Sequence, residues 1–158
     1  MRIRLIEKAD NEKIAATIRK VIIEMGAPKV GTAYEDEELE AMFEAYQKDR
    51  FIYFVVEHEN EVLGGAGIAP LKNGDPSICE LQKMYFLKEA RGRGLGKQMI
   101  QKCIDFAKAS NFEQCYIETM PNMQDAQKLY IKTGFEYIDH AMGNTGHSSC
   151  PVWMLKSL

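Results

Sequence analysis

Apolar and polar positions alternate at the start of the chain. Ile3 and Leu5 stand between charged residues in RIRLIE, Arg2 to Glu7, the period of two expected of a half-buried strand. From Asp10 onward the rhythm lengthens. Ile14, Ile18, Ile22 and Met25 recur every three or four positions, which makes one helix face apolar. Asp10 is placed to cap that helix, and Gly26 and Pro28 to end it. A second helix is expected where Leu39, Met42, Phe43 and Tyr46 share a face. Phe51 to His58 (FIYFVVEH) is aromatic and β-branched, and with Val62 to Leu71 it reads as a hairpin turning near Asn60. KNGDP, Lys72 to Pro76, is a turn, and Ser77 to Phe86 (SICELQKMYF) a further strand. Then come a helix with Leu95, Met99, Cys103 and Phe106 on one face and a short strand, Cys115 to Thr119. A helix burying Ala126, Leu129 and Tyr130 follows, capped by Asn122, with Asp125 in its first turn and Gly134 at its end. Phe135 to Ile138 and Val152 to Leu155 are the last strands.

The order β-α-α-β-β-β-α-β-α-β-β places antiparallel hairpins before a β-α-β unit, so the sheet should be mixed and the class α/β (α+β). The 158 residues fit one domain, 1–158, with a full core. A composition of 46% hydrophobic and 27% charged residues excludes intrinsic disorder. The net charge of -3 argues against a nucleic-acid partner. No apolar run approaches the roughly 18 residues of a membrane span, and the N-terminus lacks a signal-peptide pattern. None of the four cysteines forms a C-x-x-C pair, and Cys79, Cys103 and Cys115 sit in apolar segments where thiols pack as small hydrophobes. A cytoplasmic protein without a metal site is the expectation.

One stretch breaks the pattern of packing positions. KEARGRGLGKQMI, Lys88 to Ile100, puts three glycines and two arginines into six residues just before a helix. It is not a Walker A loop, because Arg91 stands where the first glycine belongs and Gln98 where the hydroxyl belongs. It is not a Rossmann fingerprint, because Lys97 replaces the third glycine. Its placement between a strand and a helix still leaves backbone N–H groups unpaired, with the helix dipole behind them. Arg91, Arg93 and Lys97 add positive charge. A pyrophosphate suits such a site; a plain glycine turn with solvated arginines is the alternative.

RGRGLG, Arg91 to Gly96, also fits the [RQ]-x-x-G-x-[GA] signature of the GNAT superfamily of acetyl-CoA-dependent N-acetyltransferases. ELQKMYF before it resembles that family's fourth strand. MQDAQKLYIKTGF, Met123 to Phe135, resembles its later helix, with Ala126, Leu129, Tyr130, Gly134 and Phe135 in place. The resemblance covers nearly the whole chain. It implies a GNAT-like fold: a mostly antiparallel sheet, splayed after the fourth strand and flanked by about four helices. It implies acetyl-CoA as co-substrate, with the pyrophosphate held at Arg91, Gly92, Arg93, Gly94, Leu95, Gly96 and Lys97. The pantetheine arm would pair with Met84, Tyr85 and Phe86.

By the same resemblance Tyr130 is a general acid that protonates the departing thiolate; an amphipathic tyrosine packed under the sheet is the alternative. Glu80 is the candidate general base for an amine acceptor. It could equally be a strand glutamate facing solvent or pairing with Lys83 or Lys97. Two positions depart from the family pattern: Met123 replaces a coenzyme-contacting asparagine, and Lys88 replaces a proline. The acceptor side is less defined. Glu35 to Glu40 holds five acidic residues in six, which would favour a cationic amine if it lines the mouth, or else is a solvated helix start. His147 is read as a loop residue near the acceptor, and Cys150 as a strand-edge thiol without a nucleophilic role. The family leaves room for a homodimer, and a catalytically silent coenzyme A sensor is the alternative function.

Overall fold

The computed structural model describes residues 1–158. Seven strands form one sheet in the order β1-β2-β3-β4-β5-β7-β6. They are β1 (Arg2–Leu5), β2 (Ile52–His58), β3 (Glu61–Pro70), β4 (Ile78–Phe86), β5 (Gln114–Thr119), β6 (Glu136–Ile138) and β7 (Val152–Ser157). The helices are α1 (Asn11–Glu24), α2 (Met42–Ala45), α3 (Leu95–Ala109) and α4 (Gln124–Lys132). All neighbours are antiparallel except β4 and β5, the pair joined through α3. Alternation along β2 divides the core: Val55 packs with Ile14, Ile18 and Ile22 of α1, while Val56 packs with Met99, Ile100 and Cys103 of α3. The two helices therefore cover opposite faces.

Two local departures from the expected elements have physical causes. The second helix is only one turn: 3-10 turns at Ala33–Glu35 and Glu37–Ala41 precede Met42–Ala45. Leu39 and Met42 are nevertheless fully buried, so apolar anchoring survives without helical regularity. Neither expected cap forms. Asp10 accepts the Glu7 N–H at 2.7 Å and pairs with Arg4, and Glu7 caps the preceding 3-10 turn. Asn122 Nδ2 instead donates to the Met25 carbonyl at 2.7 Å, tying the start of α4 to the end of α1, and Met123 takes the cap position.

The sheet opens at one place. β4 pairs with β5 only from Ile78 to Glu80, so from Leu81 to Phe86 one backbone edge of β4 has no strand partner. On its other edge β4 carries a bulge. Ala66 alone lies between Gly65 and Gly67, while Lys83 and Met84 lie between their partners Gln82 and Tyr85. Lys83 has φ 48°, an uncommon conformation for a lysine. The bulge is held from below: Tyr53 Oη donates to the Lys83 carbonyl at 2.8 Å. The Tyr53 ring needs the space that Gly65 and Gly67 leave, since a Cβ at either would come within 2.6 Å of it.

Candidate active site

The glycine run turns from β4 into α3. Gly92 and Gly94 both have positive φ, 70° and 75°, and a Cβ on either would meet nothing within 4 Å. Gly94 is the N-cap of α3, and no side chain caps the helix. Its first amides are thus free for an anion, with the dipole of a 15-residue helix behind them. Arg91 is anchored by Nε to the Phe86 carbonyl at 2.8 Å and by Nη1 to Glu24 at 3.0 Å. Its Nη2 is buried with no partner, an unsatisfied donor at the wall of a cleft.

That cleft, about 430 Å³, runs from the glycine run into the splay. Met84, Tyr85 and Phe86 form one wall; Ala126, Leu129 and Tyr130 of α4 form the other. Ala126 and Leu129, expected to be buried, are only partly so, because they pack against the core on one side and line this cleft on the other. Gly92, Gly94, Gly96 and Lys97 close its end. Arg93 and Leu95 do not line it: Arg93 Nε donates back to the Glu89 carbonyl at 2.9 Å, and Leu95 is buried in the α3 core. At these two positions only the backbone can serve an anion. An apolar groove along an unpaired strand edge, ending in uncapped amides and the unpartnered Nη2 of Arg91, fits an elongated ligand with an anionic middle.

A narrow cavity of about 30 Å³ continues through the splay, sharing Met84, Tyr85, Met123 and Tyr130 with the cleft. Its far end shares Glu80, Gln82, Lys83 and His147 with a third cavity of about 280 Å³, which no apolar residue lines. Glu80 and Tyr130, far apart in sequence, thus line one passage. Glu80 neither faces solvent nor pairs with a lysine: it is 3% exposed and accepts from Gln82 Nε2 at 2.8 Å. Tyr46 Oη donates to Gln82 Oε1 at 2.6 Å, which fixes the amide so that its NH₂ faces Glu80. Burial is the main reason the Glu80 carboxyl is pushed up to about 7; Gln82 opposes the rise and the charge of Glu118 adds to it. Burial likewise lifts the Tyr130 phenol above its ordinary value, so it remains protonated at neutral pH.

The acidic run is only partly solvated. Glu35 and Glu37 are exposed, but Asp36 and Glu38 turn inward to Lys83 Nζ at 2.9 and 2.8 Å. Burial opposes the charge on Lys83, but Tyr46 and these two anions together outweigh it and hold its pKa high. His147 Nε2 lies 2.9 Å from Asp36, which places this loop residue at the polar cavity. Cys150 is buried just ahead of β7, not at a strand edge, and burial pushes its thiol up to about 12, far from a nucleophilic thiolate. Sequence reasoning missed Gln82, Lys83 and Glu118 as site residues. The available signal was a polar cluster, Glu80, Gln82 and Lys83, inside an otherwise apolar strand.

A sequence model of the Acetyltransferase (GNAT) family matches residues 15–135. The chain is 43% identical over 156 residues to the uncharacterized N-acetyltransferase YjgM of Escherichia coli strain K12, covering 98% of this chain and 93% of that one. Its fold resembles an acetyltransferase of the GNAT family from Staphylococcus aureus Mu50, with a TM-score of 0.87 and 20% identity, over 99% of this chain and 98% of the other. It also resembles a phosphinothricin acetyltransferase from Sinorhizobium meliloti solved in complex with acetyl-CoA (TM-score 0.78, 21% identity, 99% and 88% covered).

Proposed function

The chain belongs to the GNAT family of acetyltransferases, and from that premise we propose that it transfers the acetyl group of acetyl-CoA directly to a primary amine. The observation that carries this reading is the passage holding both Glu80 and Tyr130 between an apolar cleft and a wholly polar pocket. The uncapped amides of α3, Gly92, Gly94 and Arg91 Nη2 would hold the coenzyme pyrophosphate, and the free edge of β4 at Met84 to Phe86 the pantetheine arm. Acetyl-CoA supplies a thioester whose carbonyl is open to attack by a neutral amine. Glu80 takes the proton that makes the acceptor an ammonium, from the polar side. Tyr130 donates its phenolic proton to the departing sulfur, from the cleft side. Backbone N–H groups on the free β4 edge suit the oxyanion role.

The acceptor we infer is a hydrophilic, cationic amine, because its pocket has no apolar lining and its five carboxylates, Glu35, Asp36, Glu37, Glu38 and Glu80, outnumber its cations Lys72, Lys83 and His147, with Glu35 and Glu37 left exposed. The test is release of free thiol from acetyl-CoA across a panel of polyamines, amino acids, peptides and aromatic amines. Amine-dependent thiol release, strongest with cationic acceptors, is expected. Tight acetyl-CoA binding without any amine-dependent release would instead identify a catalytically silent sensor.

A further inference from the structure

Glu80 is not alone at the far end of the passage. One side-chain atom each from Glu80, Glu118 and His147 lie within 4.8 Å of one another, although the three residues come from β4, β5 and the 139–151 segment. We propose that His147 and Glu118 are opposed positioning residues for Glu80: the imidazolium favours its carboxylate form, and the neighbouring carboxylate favours its acid form. This rests on the reading of Glu80 as the base.

Each partner is held in place by contacts outside the trio. Asp36 grips His147 Nε2 through both oxygens, at 2.9 and 3.1 Å, and is itself fixed by Lys83. Burial works against a charged His147, but the hydrogen bond and charge of Asp36, then the charge of Glu80, outweigh it and raise its pKa. Glu118 accepts from Tyr116 Oη at 2.8 Å and from Thr145 Oγ1 at 2.7 Å. The same Thr145 hydroxyl accepts the His147 N–H at 3.2 Å, so one side chain sets the spacing of both partners. At separations of this size, away from bulk water, one charge moves a neighbouring carboxyl by on the order of one pH unit.

The other groups around Glu80 hold fixed charge. Lys83 on β4 is matched by Asp36 and Glu38 from the 26–51 segment. Tyr46, Cys115, Tyr116 and Cys150 are raised by burial and stay neutral near pH 7. The variable charge is left to His147, and His147 arrives only when its segment is docked. That docking is visible: Ser149 N–H donates to the Gly31 carbonyl at 3.0 Å and Ser149 Oγ to Val30 at 2.9 Å. The acceptor-side loops therefore do more than enclose a substrate; they set the ionisation of the base.

The titration needs no acceptor. Protein labelled with ¹³C at glutamate carboxyls is titrated by NMR, with the Glu80 resonance assigned by its loss in Glu80→Gln. It should titrate near 7 in the unaltered protein. In His147→Gln the midpoint should rise by roughly one unit, in Glu118→Gln fall by roughly one unit, and in His147→Lys stay within about 0.3 unit of the unaltered value. A purely structural role for these residues would move the midpoints in one common direction or not at all, and either result overturns the proposal. An unchanged amide spectrum away from the site checks folding; the two His147 variants decide the matter even if Glu118→Gln misfolds. Opposite shifts with full amine-dependent turnover in Glu80→Gln would sink the base reading and leave the charge pair standing. A dead Glu80→Gln with a stationary resonance would do the reverse.

Discussion

The two ends of the passage are built in opposite ways. The apolar cleft takes its anion-facing end from consecutive residues, Arg91 to Lys97, and chiefly from backbone: uncapped amides, and Gly92 and Gly94, whose missing side chains leave open space. The polar pocket is made of charged and polar side chains from residues 35–38, 72, 80, 82, 83, 145 and 147, brought together across the fold. A backbone-built site should tolerate the loss of side chains and fail when one is added. A site built from side chains should behave the other way.

The largest expected effect follows from adding a group to the backbone-built end. Gly94→Asp places a carboxylate in the open space before the α3 amides, and acetyl-CoA affinity should fall at least about a hundredfold, ~3 kcal/mol, by calorimetry. Unchanged affinity in a folded variant would remove the glycine run from the site. At the passage itself, Tyr130→Phe keeps the ring and loses the proton. Turnover should drop about a hundredfold with acetyl-CoA affinity within about threefold of the unaltered protein; equal turnover would return Tyr130 to a packing role. At the polar pocket, Lys83→Met leaves Glu38 without its cation and Asp36 with His147 as its one remaining partner; their side chains are 42% and 16% exposed. Because water reaches both anions, the loss in urea unfolding should be about 2 kcal/mol, below that of a fully buried pair.

The pH profile gives a smaller, graded effect. A base must be ionised to accept a proton, and Glu80 ionises as pH rises through about 7, so kcat/KM should fall about tenfold per unit below that point. A profile flat from pH 5 to 8 would contradict the assignment of Glu80. The smallest effect is expected of Arg93→Ala. Its guanidinium turns back to the Glu89 carbonyl, so coenzyme affinity should change by no more than about threefold despite the lost charge. A larger loss would mean that the run binds through side chains after all.

The sheet was legible in the sequence because period-two and period-four patterns, turn residues and apolar runs are local properties. The expected element order holds, and α3 and α4 lie where their apolar faces placed them. The short second helix was overestimated because Leu39 and Met42 satisfy a helical pattern while 3-10 turns bury them equally well. The two failed caps have the same origin. Asp10 and Asn122 had a nearer local use on paper, but Arg4 and the Met25 carbonyl, reached only in the folded chain, took their side chains.

The candidate site divides along the same line. The glycine run, Glu80 and Tyr130 could be picked out by residue type, spacing and the GNAT resemblance, since an anion site at a helix N-terminus is written in one short segment. Sequence alone therefore determined the element order, the family and one end of the candidate site. Tertiary structure alone decided that Glu80 is buried beside Gln82, that Lys83 holds two of the five acids of the run inward, and that His147 meets Asp36 across 111 positions of chain. Charge pairing acts through space and is indifferent to chain separation, so no reading along the chain could have found the partners of Asp36 and Glu38.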